Sequence, residues 1–578
     1  MARARLSSKP LRERLARIAF DRGGLLGLAA LAVYCLLAPA HVIDGDNAEF
    51  ATLGTLGGIA HPTGYPLYVL WLRAWSWLPG TPAHRAALAT ALLGALSIVV
   101  LHAACRAWGA RPLAATCACA IFAASPLVLA IYSEAEVFAL NGLVVGAVLW
   151  LAARGGPLRG AWRAGALGLV AGLGICDHAT CVLVAPVGLV GVVRAVREAR
   201  PAVIGLAVGG FALGLVPYAY VLVAPDNAMA WGVPRDLDGI LGLVTRRDYG
   251  GPGAFAAVGA TSPATANLAA LAASLGRVWL WLPGLAGLAE LGVRIARKDG
   301  RWDAAALAAS LLCAGPLLVL RFNAPDSEFG HYEVARFHLL PALLLAIPVA
   351  WAADRVVWPA TLPSGARGSR LYHAAALTGF AALAGLALPR IAAVHAPAVE
   401  FQAESTLRAL PEDAIVFGVD DDLPFAFGYC QLVLGERTDV RYIHLPLTGL
   451  AWYRARMAIG EHPIEAAIAS GRPVFAQPFL VRGALARLPY YAFGPLIRLL
   501  PPGQPPPPLA EVAADNERRY AGFELGYPPP HVGDGWPAKV HERYAATWRL
   551  LASQLDAAGD AAGAARALEL ARQIGPQP

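Results

Sequence analysis

Charge is scarce in this chain. Of its 578 residues only 15% are Asp, Glu, Lys or Arg, while 57% are hydrophobic. A soluble protein of this length needs more charge to cover its surface, so a soluble globular class is excluded. A nucleic-acid partner is also poorly served. The net charge of +7 is modest, and most Lys and Arg stand in short clusters between apolar runs. That is the positive-inside pattern of membrane proteins. Nor is there a cysteine framework. Of eight cysteines, Cys35, Cys105, Cys117, Cys119, Cys176, Cys181 and Cys313 fall in or beside apolar segments, where Cys is usually a small hydrophobe. Cys430 stands alone in the polar part, so no disulfide set is implied. A cleavable signal is missing too: the basic start, 1–22, runs into a longer apolar segment without a clear cleavage site and reads as a signal anchor.

What is abundant is Ala, Leu, Gly and Val, in runs long enough to cross a bilayer. The runs predict a mainly α, polytopic helix bundle with about eleven spans, near 23–40, 84–105, 112–131, 136–153, 164–177, 179–193, 202–223, 272–293, 303–321, 337–353 and 371–393. The pair flanking 176–180 is short enough to be one broken or re-entrant element. The N-terminal arm carries Arg3, Arg5, Lys9, Arg12, Arg14, Arg17 and Arg22, which places it in the cytoplasm. Alternation then puts Arg106/Arg111, Arg154/Arg159/Arg163, Arg194/Arg197/Arg200, Arg294/Arg297/Lys298/Arg301 and Arg355/Arg367/Arg370 on that same side. The opposite side receives the long acidic, aromatic loops 41–85, 132–136, 226–265 and 323–336, and everything after about 394. Loops on a rigid scaffold carry function, so the working face is expected to be extracytoplasmic.

Four regions follow: an arm, 1–22; a membrane domain, 23–394; an outer α/β domain, 395–530; and a tail, 531–578. In the outer domain, 414–418 and 440–444 read as strands and 423–435 as a helix. A proline-rich connector occupies 501–508. The tail spaces Trp548, Leu551, Leu555, Ala564, Ala567, Leu568 and Ala571 like one tetratricopeptide-like hairpin. A single copy cannot bury its own face and must pack on the preceding domain or on a partner protein.

The chemistry-bearing stretch is Asp44-Gly-Asp-Asn-Ala-Glu-Phe50, followed by His61-Pro-Thr-Gly-Tyr-Pro-Leu-Tyr68. Asp46 and Glu49, three apart, share a face if a helix starts here; Asp46 is equally placed to be that helix's N-cap. Carboxylates at a membrane surface are costly and tend to be kept for function. The next segment, 65–78, holds Trp71, Trp75 and Trp77, is too short to span, and reads as an interfacial helix. Asp177 and His178 interrupt an apolar stretch, either as functional groups at depth or as a plain turn. Glu134 and Glu136 open a helix, where acids offset the dipole. No His/Cys/Asp cluster has metal-ligand spacing, so no metal or other cofactor is indicated, although Asp46 and Glu49 could share a divalent ion with a phosphate.

A basic N-terminus, one helix, an acidic pair, an H-P-x-G-Y-P-L-Y segment and then an Ala/Leu-rich span together resemble a GT-C glycosyltransferase. More narrowly, they resemble the bacterial relatives of the eukaryotic protein O-mannosyltransferase that modifies plexin-type receptor domains. Glu134–Asn141, Gly174–His178, Trp231-Gly-Val-Pro-Arg235, Thr245-Arg-Arg-Asp-Tyr249, Arg336–Pro341, 410–415, Asp420 and 437–440 match that pattern, over roughly residues 20–460. Two positions depart from it: Ala335 stands where a Glu usually precedes the arginine, with Glu333 the nearest substitute, and His338 stands for a Tyr. The resemblance implies transfer of a sugar from a polyprenyl-phosphate carrier to a hydroxyl on protein or glycan, with inversion, at a bacterial cytoplasmic membrane. It implies Asp46 as general base, with Glu49 orienting it or the acceptor. Arg246, Arg247, Arg336, Arg235 and Arg85 are the candidates for the lipid phosphate, or for headgroup anchoring. Trp231, Tyr249, Tyr65, His61, Asp177 and His178 complete the candidate donor site. Two rival classes are a lipid or solute transporter, which predicts paired inverted repeats, and a non-catalytic assembly factor docking through its tail. No such pairing is visible, and docking alone has no use for acids beside an aromatic interfacial helix.

Overall fold

Proline decides where several of the apolar helices begin, because it fixes φ and its missing N–H costs nothing in a first turn. Pro66–Ala74, Pro82–Ala107, Pro112–Ala123 and Pro126–Ser133 all start this way. A computed structural model describes residues 22–578 apart from 233, 252–262, 298–299, 323, 358–365 and 483–486. The basic arm before Arg22, Lys298, and the side chains of Arg367 and Arg370 lie outside the described residues.

Among the described residues, six helices are long and apolar enough to cross a membrane, or up to eight if each of two bent pairs is one span. This is fewer than the eleven expected, for identifiable reasons. The run at 112–131 breaks before Pro126, where Ser125 accepts from Val128 N–H to start a new helix, and the two halves meet at 70°. The run at 272–293 is two helices, Ala264–Val278 and Leu282–Ala296, crossing at 106°, with Leu280 and Trp281 in left-handed backbone between them. Arg22–Leu37, Phe138–Ala152 and Gly160–Ile175 have 16, 15 and 16 residues. At 1.5 Å per residue that is about 24 Å, short of a hydrocarbon core of about 30 Å. The chain is a multi-pass membrane protein.

The arginine-bearing connections converge on one face. Asp303 accepts from Arg154 (3.1 Å) and Arg194 (2.6 Å), Glu198 from Arg163 (2.6 Å), and Glu290 from Arg294 (2.9 Å) and Arg355 (2.6 Å). The Pro82–Ala107 helix has 26 residues and so is about 39 Å long. It ends on that face with Arg106 and starts near Ala40, whose carbonyl accepts from Thr81 at 2.5 Å.

Beyond the membrane helices comes a five-stranded sheet: β1 Ile415–Gly418, β2 Arg441–His444, β3 Val474–Ala476, β4 Tyr490–Phe493 and β5 Leu496–Leu499, in the order β2-β1-β3-β5-β4. β1 pairs parallel with β2 and β3, and β5 pairs antiparallel with β3 and β4. The Asp422–Leu432 helix covers one face, with Phe427 edge-on to Tyr442 at 5.4 Å. The tail is a hairpin of Trp536–Ala557 and Ala561–Ile574, with Asp560 capping the second helix (2.8 Å to Gly563 N). It buries its apolar stripe on the preceding domain: Tyr544 and Trp548 pack against Tyr520 at 5.6 and 5.4 Å.

Candidate active site

The site grows from one helix start. Gly45–Leu56 is helical, and Asp44, not Asp46, is its N-cap: Asp44 Oδ1 accepts from Asn47 N–H at 2.6 Å while Asn47 Oδ1 accepts from Ile43 N–H at 3.3 Å. That corrects the capping alternative for Asp46, which stands inside the first turn with its carboxylate partly exposed. Gly45 lets this turn approach the outer domain closely. A Cβ there would lie 2.8 Å from Asp422 Cα and 3.1 Å from the Asp421 carbonyl, both backbone atoms. The helix start and the start of the Asp422 helix therefore touch main chain to main chain.

Glu49, one turn on, is fully buried, and among the described residues it makes no hydrogen bond with Asp46. Its two oxygens accept from His61, one from the backbone N–H (2.8 Å) and one at Nδ1 (2.6 Å). Glu49 thus positions His61, a partner that the expectation of Glu49 orienting Asp46 or the acceptor did not include. Burial raises the Glu49 carboxyl, partly offset by His61; burial lowers His61, but Glu49 and Asp46 more than reverse that, so His61 is raised overall. Both shifts act in one sense, toward keeping a proton between the two groups. His61 Nδ1 is 3.9 Å from Asp46 Oδ1. Asp46, Glu49 and His61 bring one ligand atom each within 4.8 Å of one another, a grouping with the geometry to hold a cation. Spacing along the chain hides it, because His61 arrives on a separate loop.

Arg336 closes the other side. Its Nη1 donates to Asp46 Oδ2 (3.0 Å) and Glu136 Oε1 (3.0 Å), and its Nη2 to Glu333 Oε2 (2.9 Å). One guanidinium faces three carboxylates, with Glu333 reaching it from three residues back, where Ala335 leaves the usual position empty of charge. Glu136 serves both ends: its Oε2 accepts from the N–H of Val137 (3.2 Å), just ahead of the helix that begins at Phe138, while its Oε1 is the partner of Arg336. Burial pushes Glu136 and Glu134 well above the usual carboxylate range, against the pull of Arg336. Burial likewise raises Asp44 to about 7, with Arg336 opposing and Asp46 adding to the shift.

Aromatic rings line the cleft. Tyr65 lies 5.0 Å from His61 and stacks on His178 at 6.0 Å and 23°. His178 accepts at Nδ1 from or donates to Thr180 Oγ1 (2.7 Å); burial and then Arg246 push it down to about 3, so it is neutral. Its neighbour Asp177 is fully buried, with no hydrogen-bond partner for either oxygen among the described residues, and its carboxyl is raised by burial. Arg246, held in left-handed backbone (φ 57°), sets its guanidinium 4.9 Å over the Tyr249 ring and acts electrostatically on His61, Tyr65 and His178.

The remaining candidates divide. Trp231 is buried, its indole N–H donating to Asp248 Oδ2 (2.9 Å), the same oxygen that accepts from Trp452 (3.1 Å); Tyr249 lies 5.3 Å from Trp231. Asp248 and Trp452, which sequence reasoning passed over, tie loop 226–251 to the outer domain. Arg247 points away and forks onto exposed Asp238 (2.9 Å twice). Arg235 is tied to the Leu222 carbonyl (3.0 Å) and Arg85 to that of Ser76 (2.7 Å).

The family described as the protein O-mannosyl-transferase TMEM260 N-terminal domain matches residues 46–200, the segment that carries Asp46, Glu49, His61, Glu136 and His178. The chain is 26% identical over 484 residues to the mouse (Mus musculus) protein O-mannosyl-transferase TMEM260, covering 78% of this chain and 68% of that protein. Among solved structures, ArnT from Cupriavidus metallidurans, bound to undecaprenyl phosphate or in the apo state, aligns with a TM-score of 0.48 in each case. Identity to the two is 15% and 16%, over 84% of this chain and 99% of theirs. The chain is a membrane glycosyltransferase that is similar to the protein O-mannosyl-transferase TMEM260.

Proposed function

We propose that this glycosyltransferase moves mannose or another hexose from a polyprenyl-phosphate carrier to a hydroxyl of a protein or glycan, with inversion, on the extracytoplasmic face of a bacterial cytoplasmic membrane. The observation that carries the reading is the asymmetry at Asp46. Arg336 holds Oδ2 at 3.0 Å, while Oδ1 makes no hydrogen bond among the described residues and stands 3.9 Å from His61 Nδ1. A carboxylate fixed by one oxygen and open at the other suits a general base.

In this reading the acceptor oxygen attacks the anomeric carbon as the bond from that carbon to the phosphate oxygen breaks. The acceptor's proton passes to Asp46, and the bonding pair leaves on the lipid phosphate. Such a base typically contributes ~10²–10⁴ in rate. Arg246 meets the leaving charge with a guanidinium that stays protonated, and Arg336 positions Asp46. Tyr65, His61 and His178 wall the sugar. The convergent arginines at the far end of the Pro82–Ala107 helix support the orientation; a topology reporter fused at Ser470 should read extracytoplasmic, and a cytoplasmic reading would reverse it.

The decisive test is Asp46→Asn, compared with Asp46→Ala, in one detergent preparation supplied with polyprenyl-phosphate sugar. Asn keeps size and hydrogen bonding but cannot take a proton, so transfer should fall at least a hundredfold with folding intact. Near-normal turnover by the Asn variant would remove Asp46 as the base.

A further inference from the structure

The sheet order leaves β2 on an outer edge. Arg441 N–H donates to Ala414 O on the β1 side, and alternation in a parallel ladder turns the N–H and C=O of Tyr442 and His444 the other way. His444 N–H is taken by the Tyr453 hydroxyl at 2.8 Å. The peptide groups of Tyr442 face a cavity of about 500 Å³. One wall of that cavity is the Asp422–Leu432 helix, through Phe425, Gly428 and Gln431; the other is the Ala451–Met457 helix, through Trp452, Arg456 and Met457. A trough between two helices with a strand edge for a floor has the form of a strand-addition site.

We propose that this groove binds an extended segment of the acceptor polypeptide, paired to the edge of β2, and delivers a Ser or Thr hydroxyl to Asp46. The proposal rests on the transferase reading above. Continuity with the site is what selects this occupant. The β2 strand runs toward the cleft: its last residue, His444, stands 3.3 Å from Asp421, whose carbonyl abuts Gly45, immediately before Asp46. Phe425 lines the groove and lies 6.4 Å from the His61 ring, and Trp231 and Tyr249 close the inner end. A saccharide acceptor fits less well. The two indoles at that end pack on each other at 5.6 Å with both N–H groups turned to Asp248, so they form a wall more than an open stacking platform. Of the four residues of β2, Arg441 and Ile443 are turned to β1 and His444 N–H is taken, so Tyr442 supplies the N–H and C=O that pair with the incoming chain, and the two helices hold its flanks.

The test uses the full-length protein in detergent and a dye-labelled peptide alternating Val and Thr. Its twin is N-methylated at every second residue, which removes the pairing N–H groups and leaves the side chains. Binding is read by fluorescence anisotropy without donor, and transfer separately with polyprenyl-phosphate sugar. The plain peptide should bind, and N-methylation should weaken it about tenfold or more through loss of ladder hydrogen bonds. Thr438→Trp with Met457→Trp, which narrows the outer end of the groove far from Asp46, should do the same, while release of lipid phosphate to water stays at the wild-type rate. Asp46→Asn should bind the peptide normally yet not glycosylate it. No binding by the wild type, equal binding of the N-methylated twin, or unimpaired binding by the narrowed variant each overturns the groove. Normal transfer by Asp46→Asn overturns the reading of the catalytic site and leaves the binding result standing.

Discussion

Arg336 Nη1 stands 3.0 Å from Asp46 Oδ2, joining residues 290 positions apart in the chain. The same guanidinium serves Glu136 and Glu333. Removing it leaves several partly buried carboxylates facing one another. Arg336→Ala should therefore cost about 3–5 kcal/mol of stability, the usual effect of stripping one partner from a buried charge network. Arg336→Lys should recover part of that, because an ammonium keeps the charge but not the fork. Thermal unfolding in detergent measures both; an Ala variant as stable as wild type would show the network to be dispensable.

Arg246 and Arg247 are adjacent in sequence but opposite in surroundings. Arg247 pairs with Asp238 in the open, where solvent and salt screen an ion pair, and Arg247→Ala should leave donor turnover and stability nearly unchanged. Arg246→Ala should raise the KM for polyprenyl-phosphate sugar about tenfold or more, with Lys restoring only a fraction. Steady-state kinetics of the two single variants separates them. Full activity in Arg246→Ala would move the phosphate to Arg336, which also lines a second cavity of about 490 Å³ together with Arg277 and Arg390.

These contrasts mark what the sequence could disclose. Asp46 and Glu49 follow a local rule, three residues on one helical face, and their placement on a helix that starts at Gly45 was legible. So were β1, β2 and the helix between them, because short buried strands announce themselves by composition. What each acid does was not legible. Glu49 serves His61 on the next loop, and Glu136 serves Arg336 across 200 residues. Such partners are chosen by packing, on which periodicity is silent. The bent spans misled for the opposite reason: hydropathy counts apolar residues and does not see that Pro126 or Trp281 turns the chain.

Stability should fall as pH rises. Asp44 titrates near 7 when folded, and an unfolded aspartate near 3.9. Between about pH 4 and 7 the folded protein thus holds a proton that the unfolded chain lacks. The contribution is fully present below pH 4 and is lost as pH climbs through 7. Asp44→Asn keeps a good N-cap and cannot titrate, so it should flatten the decline in thermal midpoint between pH 5 and 8. An unchanged slope in that variant would assign the dependence to another group.

The positive charge in the proposed mechanism is arginine. Transfer is accordingly expected to survive exhaustive dialysis against EDTA. Loss of activity that returns with a divalent ion, together with loss of that rescue in Glu49→Gln, would place a cation among Asp46, Glu49 and His61.

Arg543 forks onto buried Asp422 at 2.5 and 2.6 Å and reaches Asp420 at 2.9 Å, and Asp422 in turn abuts Gly45. A residue of the late hairpin thereby clamps the turn that presents the earliest acid of the cleft. For a chain made from its N-terminus on a ribosome, this sets a timetable. The membrane helices and Asp46 are in place well before their brace emerges, so a nascent chain stalled before Arg543 should be inserted yet inactive. Activity in chains truncated ahead of Trp536, at normal membrane abundance, would break that timetable.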